Sequence, residues 1–468
     1  VGGAMLAALL VGVGVRYFRF HWHVEPDAVI IQEGLVVRRR RIIRRDRIQT
    51  VDLERGIVHR LLGVVEVRIE AIGAQGTEGT LAAVSPELAE ALRRTLLARS
   101  SRASEGEAAD EADAGAEPRG EVLARVSPEG LVLAGVTGGR VGVMAALVGF
   151  LMQSVPETWW ADTVGRLLQQ APDPTSVVGL RVLAVLVLFA LLTGFFLSVV
   201  ATVFAHWDFT LSVTDETLEV RRGLFTEHRD TVPFRRIQAV RVEENLIRRL
   251  WGRAALRAVV AGRAGNRSDG TTDLLLPIGT RREAHALARR IVGLAGDRPP
   301  SLEAMPPRAR RRRLARAVLA AAAAAIVVGA LVPLRWDVGR WETAGWAFAG
   351  ALLPFLPLAE GAYRALGYAD LDSHLVVREG VTNRRTSYLA IDRLQVLETT
   401  ANPFQRVARL ATLHLQVARP LMGSSPRALD LNAVDARVWR EALARRVARA
   451  VGGPSRIASE GVDEGTEE

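Results

Sequence analysis

The sequence of 468 residues contains neither cysteine nor lysine. The absence of cysteine excludes disulfides, thiolate nucleophiles and cysteine-ligated zinc sites. The absence of lysine excludes the phosphate-binding P-loop, and the sequence also has no H-E-x-x-H zinc motif and no G-x-S-x-G nucleophile elbow. We therefore predict no cofactor and no catalytic residues, and we predict that the protein is not an enzyme.

Histidines offer the remaining route to a metal site. His21 and His23 flank Trp22, and as neighbours on one strand face they could bind a metal ion together. No third ligand accompanies them, and His206 stands beside Trp207 in the same way. A position at the lipid headgroup boundary is the favoured interpretation, and no metal site is predicted.

Apolar residues make up 49% of the chain and charged residues 24%, and the two classes are segregated along the sequence. A membrane helix needs about 20 apolar residues to cross roughly 30 Å of hydrocarbon. The apolar blocks predict a helix at 1–18, which we interpret as part of a truncated hairpin, and two transmembrane hairpins at 138–204 (helices 138–155 and 177–204) and 313–360 (helices 316–334 and 343–358). A signal peptide is rejected for the first block because no basic segment precedes it.

Arginine is distributed unevenly about these helices. The loops inside the hairpins have few arginines, whereas residues 308–313 contain five directly before a predicted helix. The positive-inside rule therefore predicts a multi-pass protein of the cell membrane whose polar blocks face the cytoplasm. We interpret the 308–313 run chiefly as a determinant of this topology.

The polar blocks repeat one pattern three times. Four residues of the first block recur 189 positions later and again 157 positions after that, without a gap. The repeated residues are Gly34, Arg47, Gln49 and Arg60, then Gly223, Arg236, Gln238 and Arg249, then Gly380, Arg393, Gln395 and Arg406. Such agreement in spacing predicts three copies of one domain, at 20–99, 205–294 and 367–450.

Each copy follows the same local plan. In the second copy, an alternating strand ends at Gly223, a strand over Phe225–Val232 is broken at Pro233, and extended structure resumes at Arg236–Val240. A short amphipathic stretch, Leu246–Gly252, precedes further strands. A helix closes each copy, with Ser85, Pro86 and Glu87 as an N-terminal cap in the first and apolar positions at Leu88, Leu92 and Leu96. Corresponding helices are predicted at Thr280–Val292 and Asn432–Val447.

This pattern resembles the bacterial PH domain family of the YdbS-like type. The resemblance is carried best by the middle copy, in Arg221–Phe225, Arg236–Val240 and Leu246–Gly252. The third copy departs from it by having Arg409 where the others have Gly63 and Gly252. The resemblance implies a membrane α + β protein, with three PH-like domains, each a small β-barrel or curled sheet closed by a C-terminal helix, alternating with transmembrane hairpins.

An arginine cluster in the first copy is the candidate lipid-binding site. Its members lie within one predicted strand hairpin, close to a membrane helix, where they could contact anionic headgroups. They are Arg38, Arg39, Arg40, Arg41, Arg44 and Arg45. The competing interpretation is a solvated strand edge whose charge prevents pairing with other strands.

We therefore predict a non-enzymatic membrane platform that binds lipid headgroups or protein partners, including further copies of the chain, and not nucleic acid. A component of a membrane transport, export or resistance system is the alternative, in which polar side chains would line a path through the helices. Residues 100–120 and 452–468 are poor in large apolar side chains and are predicted to be a disordered linker and an acidic tail.

Overall fold

The computed structural model describes thirteen stretches of the chain. They are residues 20–25, 27–33, 39–45, 48–71, 79–102, 120–138, 177–214, 217–260, 274–296, 299–332, 339–371, 373–417 and 426–450. The predicted helix 1–18, the predicted helix 138–155 beyond its first residue, most of the predicted linker and the predicted tail lie outside them. The chain divides into a first unit, residues 1–232 with 276–279, and a second unit, residues 233–275 with 280–468.

The first repeat contains six strands and two helices. In chain order they are β1 (His21–Val24), β2 (Ala28–Glu33), β3 (Arg39–Arg44), β4 (Ile48–Arg55), α1 (Ile57–Leu61), β5 (Val65–Ala71), β6 (Gly79–Val84) and α2 (Pro86–Arg102). The predicted cap is present, since the hydroxyl of Ser85 accepts a hydrogen bond from the backbone N–H of Leu88 at 3.4 Å. The side chain of Leu88 is exposed, however, and Ala89 faces the core with Leu92 and Leu96.

A segment without a sequence prediction follows. Strand β7 (Glu121–Arg125) and helix α3 (Pro128–Thr137) precede the long apolar helix α4 (Val177–Ala205). The side chain of Ser127 caps α3 by accepting a hydrogen bond from the N–H of Gly130 at 3.2 Å. Strand β7 pairs with the first strand of the second repeat.

The second and third repeats follow the order of the first. The second contains β8 (Thr210–Thr214), β9 (Thr217–Arg222), β10 (Glu227–Pro233), β11 (Ile237–Asn245), α5 (Leu246–Leu250), β12 (Arg253–Val260), β13 (Leu274–Thr280) and α6 (Arg281–Ile291). A helical hairpin of α7 (Pro307–Leu331) and α8 (Arg340–Arg364) comes next. The third repeat contains β14 (Gly367–Leu371), β15 (His374–Glu379), β16 (Asn383–Ala390), β17 (Leu394–Thr400), α9 (Pro403–Val407), β18 (Leu410–Val417), β19 (Arg427–Asn432) and α10 (Ala433–Ala450).

The hairpin packs through small side chains. Ala317, Ala321, Ala325 and Gly329 recur at every fourth position of α7 and are its buried residues beyond the first turns. A methyl group on Gly329 would lie 2.7 Å from the Cβ of Ala344 in α8, so the two backbones approach closely there. Among the described residues, α7 is the one helix long and apolar enough to cross a membrane, and Leu191–Ala205, the last part of α4, is a shorter apolar stretch. Alternation of the repeats with membrane hairpins stays a prediction.

The sheets correct the expectation of three separate domains, each a small β-barrel or curled sheet, because strands of successive repeats share sheets that are not closed. In the first unit, one sheet has the order β6-β5-β4-β10-β9-β8-β7. In the second unit, β12, β11, β16, β15 and β14 lie side by side in that order. We call the pairs β4–β10 and β11–β16 the two junctions. Each joins the fourth strand of one repeat to the third strand of the next.

The two junctions have the same register. Leu53 pairs with Arg229 in the first, and Val242 pairs with Thr386 in the second. Leu53 and Val242 occupy equivalent repeat positions, 189 residues apart, and so do their partners, 157 residues apart. One pairing geometry has therefore been used twice in this chain.

Each unit has its own buried core. Ile48, Ile237 and Leu394, which open the equivalent strands β4, β11 and β17, are all buried, as the repeat alignment predicts. In the second unit, the junction also encloses His285 of α6 and Tyr388 of β16, whose Nδ1 and hydroxyl oxygen lie 2.8 Å apart. Burial lowers the pKa of His285 to about 4 and raises the pKa of Tyr388 to about 12.

Candidate membrane-interface site

The short helices α1, α5 and α9 expose large apolar side chains in all three repeats. Leu61 is 87% exposed, Leu250 82% and Val407 89%. The other large apolar residues exposed on or next to these helices are Ile57, Val58, Leu62, Leu246, Ile247, Trp251 and Phe404. We call α1, α5 and α9 the interfacial helices. Apolar patches of this kind on a folded domain mark a surface that contacts another molecule or a membrane.

Local sequence fixes the ends of these helices. Asn245 caps α5 by accepting a hydrogen bond from the N–H of Arg248 at 2.8 Å, and Asn402 caps α9 in the same way through Gln405. After each helix the chain takes a left-handed turn, at Gly63, Gly252 and Arg409, with φ values of +67°, +61° and +54°. The third repeat therefore keeps the turn despite its arginine, at a cost of roughly 1–2 kcal/mol.

Helix α1 adjoins the end of an apolar helix. Arg60 of α1 lies 3.9 Å from the carboxylate of Glu227, at the start of β10. The turn before β10 rests on the end of α4, since the N–H of Leu224 donates to the carbonyl of Phe204 at 2.9 Å and the rings of Phe204 and Phe225 meet edge to face at 5.0 Å. Burial alone would raise the pKa of Glu227, but Arg221, Arg229 and Arg60 together lower it.

Helix α5 has the equivalent surroundings in the second unit. The Nη1 of Arg249 donates to the carbonyl of Val381 at 2.8 Å, in the turn before β16. A methyl group on Gly361 would lie 3.4 Å from the side chain of Val381, so this turn adjoins the last turns of α8. Arg60 and Arg249, which are equivalent residues of the repeat signature, thus contact the following repeat at the start of its third strand and in the turn before that strand, respectively.

Helix α9 forms one wall of a crevice of about 890 Å³ with the start of α7. The apolar part of its lining comes from Leu319 and Ala320 of α7 and from Phe404 and Val407. Its cationic lining consists of Arg308, Arg311, Arg312, Arg316 and Arg409. We call this space the arginine crevice.

Three of the arginines near the start of α7 form ion pairs with acidic side chains of the second unit. Arg310 binds Glu360 of α8 at 2.7 Å, and Arg312 and Arg313 bind the buried Asp430 at 2.5 and 3.0 Å. Within the described residues, the exposed side chains of Arg308, Arg311, Arg316 and Arg409 make no ion pair or hydrogen bond. The acidic network holds α7 in place, and these four guanidinium groups remain available for an anion from outside.

The crevice suits a molecule that is anionic at one end and apolar at the other. Guanidinium groups form paired hydrogen bonds with phosphate oxygens. The apolar wall leads from Arg316 to Leu319, one turn further along the candidate membrane helix.

The arginine cluster predicted from the sequence lies elsewhere, on β3. Arg40, Arg41 and Arg44 are exposed, and Arg45 donates to the carbonyl of Thr95 at 3.0 Å. Arg39 lies in the strand, and Arg38 is outside the described residues. None of them lines the arginine crevice, and lipid binding by this cluster stays a prediction.

The repeat signature occupies structural positions. Arg60 and Arg249 bind neighbouring turns, Gly223 and Gly380 have φ values of +110° and +90°, and Gln238 is buried. Arg393 lies 3.4 Å from Asp392 at a cavity of about 660 Å³, which Gln238 also lines, while Gln395 and Arg406 are exposed. Arg236 lies in a short 3-10 helix and Gln49 in β4, whereas Gly34 and Arg47 are outside the described residues.

Among the described residues, no cluster of histidine and acidic side chains could hold a metal ion.

Sequence reasoning did not assign the crevice. The run at 308–313 was interpreted as a topology signal, and Arg409 as a departure from the repeat. The sequence signal for the site is the apolar side of the short amphipathic stretch, which recurs in every repeat as Leu61, Leu250 and Val407. Sequence alone does not say whether these side chains are exposed, because exposure depends on how the sheets pack.

Comparisons with known proteins agree with this fold. The family model described as Bacterial PH domain matches residues 1–100, 165–294 and 312–451. The UPF0699 transmembrane protein YdbT of Bacillus subtilis (strain 168) is 26% identical over 429 residues, which cover 89% of this chain and 83% of that protein. No solved structure matches the chain. The three matches together span most of the sequence and coincide with the three repeats, and the chain belongs to the bacterial PH domain family.

Proposed function

We propose that this protein is a non-enzymatic, membrane-anchored platform whose bacterial PH domains engage the membrane surface through the interfacial helices and bind anionic lipid in the arginine crevice. The observation that carries the proposal is the recurrence of exposed apolar side chains on α1, α5 and α9, each beside the end of an apolar helix. Amphipathic helices at that level bury their apolar side in the headgroup region while arginine contacts phosphate.

Orientation follows the positive-inside rule, so the domains are proposed to face the cytoplasm. The arginines at 308–313 directly precede the apolar part of α7, at the end where the arginine crevice opens. Anionic lipid is enriched in the cytoplasmic leaflet in many cells, and one arginine near such a surface contributes about 1 kcal/mol. Topology and lipid preference thus support each other.

The alternative of a transport component has less support. A transport path needs polar side chains that face its interior. In α4, the hydroxyl of Thr202 donates to the carbonyl of Ser198 at 2.8 Å, so this group is satisfied within its own helix. The described part of α7 from Ala317 to Leu331 has no polar side chain.

Site-specific fluorescence tests the proposal. The chain is free of cysteine, so Leu61→Cys, Leu250→Cys and Val407→Cys can each carry one environment-sensitive dye in the full protein reconstituted into nanodiscs. Emission from all three positions should shift to the blue relative to dye at Glu441→Cys, an exposed position on α10. Emission equal to that of the control at all three positions would rule out contact between the interfacial helices and the bilayer.

A further inference from the structure

Two strands of the described fold are equivalent to strands of the two junctions, but each lacks the neighbouring strand that a junction would supply. β17 is equivalent to β4 and β11, and β3 is equivalent to β10 and β16, by the offsets of 189 and 157 residues. β4 and β11 each lie between two strands, as do β10 and β16. Among the described strands, β17 is the outer strand of the sheet β17-β18-β19, and β3 is the outer strand of the sheet β1-β2-β3.

Exposure at β17 shows which surface a junction would cover. Val396 is 48% exposed, whereas its equivalents Ala239 and Thr50 are 1% and 2% exposed. Glu398 is exposed, and its equivalents Arg241 and Asp52 are buried. The two junctions therefore bury positions that β17 leaves in solvent.

The same comparison holds at β3. Ile42 is 58% exposed, whereas its equivalents Thr231 and Tyr388 are both fully buried. Arg41 is exposed, and its equivalents Asp230 and Ser387 are buried. A large apolar residue on an outer strand invites pairing with another strand.

We propose that copies of this protein associate head to tail, with β17 of one copy pairing with β3 of the next. The occupant is a second copy because β3 carries the third-strand position that β4 and β11 each bind in the following repeat. The intermolecular contact thus continues an interface that the chain already forms twice within itself. The proposal concerns residues outside the arginine crevice and goes beyond the proposed function.

The common register of the two junctions specifies the contacts. In the second junction, Arg241 pairs with Ser387 and Val240 pairs with Tyr388. The equivalent pairs between copies are Glu398 with Arg41, and Leu397 with Ile42. The register thus sets an acid opposite a base and an aliphatic side chain opposite another, and both kinds of cross-strand pair stabilise antiparallel sheets.

Arg406 supports the same arrangement. Its equivalents contact the following repeat, Arg60 at the first residue of the third strand and Arg249 in the turn before it. Arg406 belongs to the last repeat, and its exposed side chain makes no hydrogen bond or ion pair among the described residues. In the proposed contact, Arg406 would lie next to β3 of the following copy.

This contact is heterologous, because β17 and β3 are different surfaces. Heterologous contacts produce closed rings or open filaments and not isolated two-fold dimers. Species larger than a dimer are therefore expected in the membrane.

Cysteine cross-linking tests the pairing directly. Two differently tagged full-length copies are coexpressed, one with Ile42→Cys and the other with Leu397→Cys, and the membranes are oxidised. Opposed residues in an antiparallel pair have Cβ atoms about 4.5–5.5 Å apart, within reach of a disulfide after small shifts. The matched control replaces Leu397→Cys by Val438→Cys, at an exposed apolar position on α10.

A product carrying both tags should form at least tenfold faster than in the control, and a chain with both cysteines should give dimers, trimers and larger species. Glu398→Arg should reduce the cross-link by setting two arginines opposite each other, and Arg41→Glu in the other copy should restore it. Yields equal to the control, a cross-link confined to single chains, or no restoration by the charge exchange would each overturn the proposal. Dye emission at Val407→Cys, measured in parallel, reports the proposed membrane contact separately.

Discussion

Arg312 and Asp430 form an ion pair of 2.5 Å that joins the start of the candidate membrane helix α7 to strand β19 of the third repeat. Asp430 is 1% exposed, and it also receives Arg313 and the side-chain amide of Gln405 at 2.9 Å. Its backbone has a φ of +61°, in the left-handed region that is uncommon for residues other than glycine. Through this carboxylate, the third repeat is joined to the start of α7.

Replacement of Asp430 by alanine should therefore destabilise the second unit strongly. Loss of the carboxylate leaves two half-buried guanidinium groups without compensation, which typically costs about 3–5 kcal/mol. Thermal unfolding in detergent should show the loss, and Asp392→Ala, at a half-exposed carboxylate, should change the midpoint little. Similar midpoints for the two variants would show that the network does not stabilise the attachment.

His285 should make the second unit sensitive to acid. Its pKa is about 4 in the folded state and about 6.5 in the unfolded state, so the unfolded chain binds more protons between these values. The free energy of unfolding should therefore fall as the pH is lowered from 6.5 to 4, by at most about 1.4 kcal/mol per pH unit from this group. His285→Asn, which can still bond Tyr388 but does not titrate, should flatten the profile measured by chemical denaturation. An unchanged slope in this variant would assign the acid sensitivity to other groups.

The repeat glycines should differ in their tolerance of alanine. At Gly223 the φ is +110°, and an added methyl group would collide with the carbonyl oxygen of Thr226, so Gly223→Ala should cost several kcal/mol. At Gly252 the φ is +61° and nothing lies within 4 Å of the added atom, so Gly252→Ala should cost roughly 1–2 kcal/mol. Denaturation midpoints of the two variants measure the difference. Equal losses would contradict the close approach at Gly223.

The sequence predicted local structure far better than it predicted how the repeats combine. Repeat spacing aligned Ile48, Ile237 and Leu394 as buried positions, Pro233 marked the strand break, and caps and apolar periodicity located the closing helices. The sequence pattern predicted a separate small barrel or curled sheet for each repeat, however, because alternation indicates which residues face a core but not which strand lies at the edge of a sheet. The sharing of sheets depends on pairs such as Leu53 with Arg229, which are distant in sequence and leave no local pattern.

The candidate site was harder to predict for a related reason. Exposure of Val407 and Leu250 is a property of the assembled fold, and a short apolar stretch is equally compatible with burial. Arg311 and Arg312 are neighbours in sequence, yet Arg312 has an acidic partner in the structure, whereas Arg311 is exposed at the crevice. Only the position of Asp430 separates their roles.

The last prediction concerns the arginine crevice itself. Arg311→Gln and Arg316→Gln together should weaken the retention of anionic lipid at least tenfold, because each engaged arginine contributes about 1 kcal/mol at an anionic surface. Neither side chain has an ionic partner among the described residues, so the double variant should fold normally. Native mass spectrometry of protein released from nanodiscs, with phosphatidylglycerol varied against phosphatidylcholine, gives the number of lipids retained.

The control is Arg437→Gln with Arg440→Gln, which makes the same change in net charge on α10, away from the crevice lining. Binding at the crevice should also weaken as salt is raised, since the Debye length falls from about 10 Å at 0.1 M to about 3 Å at 1 M. If both double variants lose lipid equally, retention depends on net charge alone. If neither loses lipid, Arg311 and Arg316 do not form a headgroup site.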